Sequence, residues 1–80
     1  MRTLHDKRYK LIIQRLKEAR LAKGLNQLSV SKSLKRPQSF VSKVENGERR
    51  LDVIELFDLM KLYGVTWDQL ASRLGAKGEF

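Results

Sequence analysis

Residues 26–47, NQLSVSKSLKRPQSFVSKVENG, decide how this chain folds. Asn26 suits the cap of a helix beginning at Gln27, because its side-chain oxygen can take an amide left over in the first turn. Val30 and Leu34 then share one side of that helix, and Val41 and Val44 share one side of a second. Between the two runs lies Lys35-Arg36-Pro37, a short basic connection with a proline to start the next element. Gly47 follows the second run, where a left-handed residue closes a helix. The stretch therefore reads as two short helices joined by a tight turn, a unit that holds its second helix proud of the surface.

The same signals recur outward from this segment. Gly24, Gly64 and Gly75 also follow helical patterns. Asp52 with Glu55, and Thr66 with Gln69, have the spacing of a capping box, in which side chain and backbone satisfy each other's amides. No stretch alternates with the two-residue period of a strand. The fold class is therefore all-α, with five helices expected near residues 7–23, 27–34, 38–46, 53–63 and 67–74. One domain spans residues 1–80, with an N-terminal tail at 1–8 and a C-terminal tail at 76–80. Ile12, Leu16 and Ala19 are expected to face the core from the first helix, and Val53, Leu56, Leu59, Met60 and Tyr63 from the fourth. Leu25, Val65, Trp67 and Leu70 would close its two ends.

Charge narrows the function. The net charge is +8, and residues 1–50 hold 14 Lys/Arg against 4 Asp/Glu, whereas residues 51–80 hold 3 against 5. A basic first part followed by a mildly acidic second part suggests a face for a polyanion and another for something else. Cysteine is absent and His5 is the single histidine, so neither a metal cluster nor a Ser/His/Asp set can be assembled. No glycine-rich phosphate loop is present. An enzyme, a cofactor and a metal site are not expected. No apolar run reaches the ~20 residues that span a bilayer, and residues 1–10 lack the apolar core of a signal peptide. The expected setting is the cytoplasm, with the nucleoid.

On the second short helix, Gln38, Ser39, Ser42 and Lys43 form one polar stripe, with Val41 and Val44 turned inward. Gln can bond adenine in a bidentate way, Lys can donate to guanine, and Ser suits either base type. Taken alone, the stripe fits an ordinary solvated face better. The decisive observation is a resemblance. From about Arg15 to Leu70 the chain resembles the Cro/repressor-type helix-turn-helix family, the XRE-like transcriptional regulators. It is similar in Gly24-Leu25-Asn26-Gln27, in the run from Gln38 to Gly47, and in the run from Gly64 to Leu70.

The resemblance implies a five-helix, repressor-like DNA-binding domain that binds double-stranded DNA in the major groove. It implies that Gln38, Ser39 and Lys43 read bases, joined by Ser42 from the same stripe. Gln27 matches the glutamine that in this family bonds a phosphate and braces the glutamine opening the reading helix. Asn26 and Asn46 match positions that touch the sugar-phosphate backbone. Arg36, Arg49 and Arg50 flank the helix as further phosphate contacts, and Phe40 is expected at the backbone or a thymine methyl. Arg20 and Glu45 match a pair that ties the first helix to the end of the reading helix. Three positions depart from the family pattern. Lys35 replaces a left-handed glycine, Pro37 replaces a hydroxyl cap, and Ser31 replaces a small alanine, its hydroxyl free to bond back to a carbonyl.

Some apolar side chains remain after the core is filled. Leu51, Ile54 and Phe57 lie off the main stripe of the fourth helix, and Tyr9 and Ile13 are surplus on the first. Two compatible readings follow: Tyr9 and Ile13 pack against Phe57, and the acidic, apolar-rich C-terminal part builds a homodimer surface. A homodimer would place two reading helices ~34 Å apart on an inverted-repeat operator. The alternative function is an antitoxin-like or accessory module that mainly holds a protein partner.

Overall fold

The computed structural model describes residues 3–74, and over these the chain is entirely helical. A 3-10 helix, Thr3–His5, leads into α1 (Lys7–Ala22), followed by α2 (Gln27–Ser33), α3 (Phe40–Glu45), α4 (Val53–Tyr63) and α5 (Trp67–Ala71). Residues 3–8, assigned to a tail from sequence, are this 3-10 helix and the start of α1. Gly75 and the C-terminal tail lie outside the described residues.

The helix starts follow the local chemistry. Asp6 caps α1 through the Arg8 amide and Asn26 caps α2 through the Ser29 amide. Asp52–Glu55 and Thr66–Gln69 both form complete capping boxes. The helix ends are equally local at Gly64, which stops α4 in the left-handed region at φ 68°. Helix α5 ends earlier than its pattern suggested, because Ser72 is already extended at φ −59°, ψ 133°. Its last carbonyls are held from outside: Arg15 Nη1 donates to Leu70 O and to Ser72 O, each at 2.7 Å. A guanidinium at this end also suits the negative pole of the helix.

Helix α1 is the spine of the molecule and packs against α3, α4 and α5, while α2 packs on α3. The core consists of Ile13 and Leu16 of α1, Val30 of α2, Phe40, Val41 and Val44 of α3, Leu59 and Tyr63 of α4, and Leu70 of α5. Each large aliphatic side chain so removed from water contributes about 1.5–3 kcal/mol.

Four packing expectations are corrected. Ile13 is buried in the core, while its neighbour Ile12 is only partly covered. Val53, the first residue of α4, is 75% exposed. Trp67, first residue of α5, is 51% exposed. Phe57 is 55% exposed and carries the Lys61 ammonium 5.7 Å from its ring centre. Tyr9 therefore has a different partner: its hydroxyl accepts from the Leu51 amide at 3.1 Å. No helix among the described residues is long and apolar enough to cross a membrane.

Candidate nucleic-acid interface

The segment between α2 and α3 is built by local backbone contacts and a side chain borrowed from α2. The Lys35 amide donates to Lys32 O at 3.0 Å and the Arg36 amide to Ser31 O at 2.9 Å, which folds the chain back on the end of α2. Lys35 itself sits at φ 57°, in the left-handed region that favours glycine. Gln38 and Ser39 form a turn in which the Phe40 amide donates to Pro37 O at 2.9 Å. Helix α3 thus begins at Phe40, two residues later than expected, and Ser39 gives no side-chain cap. The missing cap is replaced. Ser31, fully buried on α2, accepts the Val41 amide on its hydroxyl at 3.2 Å. That hydroxyl serves α3, where a bond back to a carbonyl of its own helix had been expected.

Among the residues proposed to read bases, Gln38, Ser39 and Lys43 are exposed around the first turn of α3. Ser42 is half-buried and its hydroxyl donates to Ser39 O at 3.1 Å, leaving only acceptor capacity outward. Asn26 is exposed, with its side-chain oxygen spent on capping and its NH2 group available. Asn46 and Arg50 are exposed at the other end of the unit. Phe40 is not at the surface: it is 4% exposed and lies in the core. Its aromatic ring is excluded from a backbone or methyl contact, since neighbouring side chains already cover it.

Two ionic networks fix this unit. In the first, Glu45 at the end of α3 takes Arg20 Nε at 2.7 Å and Arg20 Nη2 at 3.0 Å. Arg20 also donates through Nη1 to Leu25 O at 2.7 Å, and Gln27 Nε2 donates to Glu45 Oε1 at 2.8 Å. The pair expected from sequence is therefore present and buried, and Gln27 braces Glu45, where Gln38 had been the expected neighbour. The Glu45 carboxylate raises the pKa of Arg20, against the opposing effect of burial. Three elements are tied at one point: α1, the start of α2 and the end of α3.

The second network was not read from the sequence. Glu55 of α4 is buried, and its two oxygens take Arg49 Nη1 at 2.8 Å and Nη2 at 2.9 Å. Arg36, in the turn, pairs with Glu55 Oε2 as well. The same carboxylate accepts the Asp52 amide at 3.0 Å, so one side chain is both helix cap and ionic hub. The Arg49 guanidinium holds Glu55 below the ordinary carboxylate pKa, with burial acting the other way. Both guanidiniums lie over the Phe40 ring, at 5.2 Å for Arg36 and 4.9 Å for Arg49. Sequence marked Glu55 only as a cap. Its ionic partners come from two other segments, and nothing in the local spacing points to them.

Around this hub the surface forms a small cleft lined by Arg36, Pro37, Ser39, Phe40, Lys43 and Arg49. Exposed polar side chains at the first turn of α3, cations beside them and a rigidly braced support make a surface suited to a groove edged by phosphates. A family model described as helix-turn-helix matches residues 16–75, from within α1 to just past the described residues. No curated protein and no solved structure matched the chain.

Proposed function

This chain belongs to the Cro/XRE-like helix-turn-helix family of DNA-binding transcription regulators, and we propose that it recognises a specific operator in the major groove and represses by occupying it. The observation that carries this reading is the exposure of Gln38, Ser39 and Lys43 around the first turn of α3, while Phe40, Val41 and Val44 anchor that helix in the core. In this reading Gln38, Ser39, Ser42 and Lys43 contact base edges. Asn26, Gln27, Arg36, Asn46, Arg49 and Arg50 contact the sugar-phosphate backbone and set the salt dependence. The protein acts where the DNA is, in the cytoplasm and on the nucleoid.

The operator is an inverted repeat read by a homodimer. Exposed Val53, Ile54 and Phe57 on α4, with Trp67 on α5, support an association surface. The same side chains favour a second reading, an antitoxin-like or accessory module whose main ligand is a protein.

Selection of bound duplexes from a random library, at two salt concentrations, tests the proposal. Enrichment of an inverted repeat with half-sites about one helical turn apart is the expected result. Lys43→Ala is expected to relax preference at one base position, at a cost of about 1–3 kcal/mol for the preferred base. Arg50→Ala is expected to weaken all sequences alike and lower the salt slope by about one unit. No enriched sequence, together with binding that vanishes as salt rises, would move the main function to the protein partner.

A further inference from the structure

Arg36 and Arg49 enter the reading above as two separate phosphate contacts, yet they share one buried carboxylate and one aromatic ring. Glu55 takes Arg49 through both of its terminal nitrogens and Arg36 through one. Phe40 lies beneath both guanidiniums. Two cations on one anion leave a net positive charge, and Lys43 adds another at the rim of the same cleft. The side chains of Arg36 and Arg49 remain 40% and 37% exposed, so part of each reaches solvent. A guanidinium carries five N–H donors. Arg49 spends three on Glu55 and the Arg50 carbonyl, and Arg36 gives one nitrogen to Glu55. Donors are left on both, and Ser39 and Lys43 line the same cleft.

We propose that the cleft between the turn and α3 is a single preformed seat for one phosphate group, in which Glu55 is the positioning residue that holds Arg36 and Arg49 to the same oxyanion. The inference rests on the DNA reading only for the source of the phosphate, a backbone phosphodiester. The chemistry recognised is the tetrahedral oxyanion itself. A carboxylate beside a phosphate site would lower affinity if it acted only as a charge. Acting as a brace it raises affinity, because two flexible side chains reach the ligand already ordered.

The two roles differ in sign, and Glu55→Gln separates them. Glutamine keeps the cap on the Asp52 amide and loses the charge that holds the arginines. The probe is a short duplex carrying the selected operator, beside a scrambled duplex of equal length. The expected result is weaker binding to both, roughly tenfold, with the salt slope lowered by about one unit. A merely structural role would lower the melting temperature and leave the slope of the folded protein unchanged. Unchanged or tighter binding overturns the proposal. If Glu55→Gln fails to fold, Arg49→Lys gives the same decision: it keeps the charge but loses the fork. Weakened binding then supports the seat, and unchanged binding overturns it.

If the wild-type protein binds neither duplex, inorganic phosphate decides. Its titration is followed through the Nε–H resonances of Arg36 and Arg49 and the Ser39 amide. All three moving together with one affinity would keep the seat and discard the DNA source. No movement, or unrelated movements, would overturn the seat.

Discussion

At the residue scale, the charged side chains that set α3 are more informative than those that face outward from it. Glu45 accepts three donors, two from Arg20 and one from Gln27, in a buried position. Arg20→Met would leave that carboxylate in the interior with Gln27 alone. A loss of about 3 kcal/mol is expected, at the lower end of the range for a stranded buried charge, because one neutral donor remains. Denaturant midpoints of wild type and variant check it; a change under about 1 kcal/mol would mean that Glu45 turns out to water when freed. Arg20 and Glu45 were legible only together and only through the family pattern, since separation in sequence hides that they meet. Glu55 was half legible, as the third residue of a capping box. Arg15, which ties α1 to the end of α5, carried no sequence signal beyond being one arginine among many. Side chains that bond within their own turn can be read from spacing, and those that bond across the fold cannot.

The elements themselves were largely legible because their ends are capped by adjacent residues. Asn26, the Asp52–Glu55 box, the Thr66–Gln69 box and Gly64 each act within a few positions of where they stand. Helix α3 is the exception. Pro37 offers no cap, so the helix waits until Phe40 and takes its acceptor from Ser31 on the neighbouring helix. Ser31→Ala is therefore expected to destabilise the protein by about 1–2 kcal/mol, by leaving the Val41 amide without an acceptor in the interior. A stability equal to wild type would show that water or a shifted turn supplies the bond. The turn before it offers the opposite change. Lys35 holds φ 57° without glycine's freedom, so Lys35→Gly should stabilise by up to about 1 kcal/mol, and a lower melting temperature would contradict this. Helix α4 shows where periodicity misleads. Val53 falls on the apolar stripe by spacing, yet as the first residue of α4 it meets solvent.

For the whole molecule, two buried groups contribute to how stability changes with pH. Glu55 is held below its ordinary pKa near 4.5 by Arg49. The unfolded chain therefore takes up this proton first, and the stability Glu55 contributes is complete above about pH 5 and is lost as the pH falls through the folded value. Glu55→Gln should flatten that acid limb in thermal melts, and an unaltered limb would assign it to other carboxylates. At the alkaline end, burial, with Glu45 adding to it, pushes the Tyr63 phenol up to about 12 from 10.0. Between these values the folded form keeps a proton that the unfolded chain has lost, so stability falls as the pH rises from 10 to 12. Tyr63→Phe should remove that decline, and its persistence would point to another group. Composition foretold the division of charge between the two parts of the chain, but not which apolar side chains stay outside. Trp67 is the sole tryptophan and stands half in water on α5. The intrinsic fluorescence of the chain is therefore a lamp at one known place, red-shifted while that helix is wet. Its emission should stay fixed when an added molecule occupies the basic cleft alone, and move to shorter wavelength when anything, a second copy included, settles over α5.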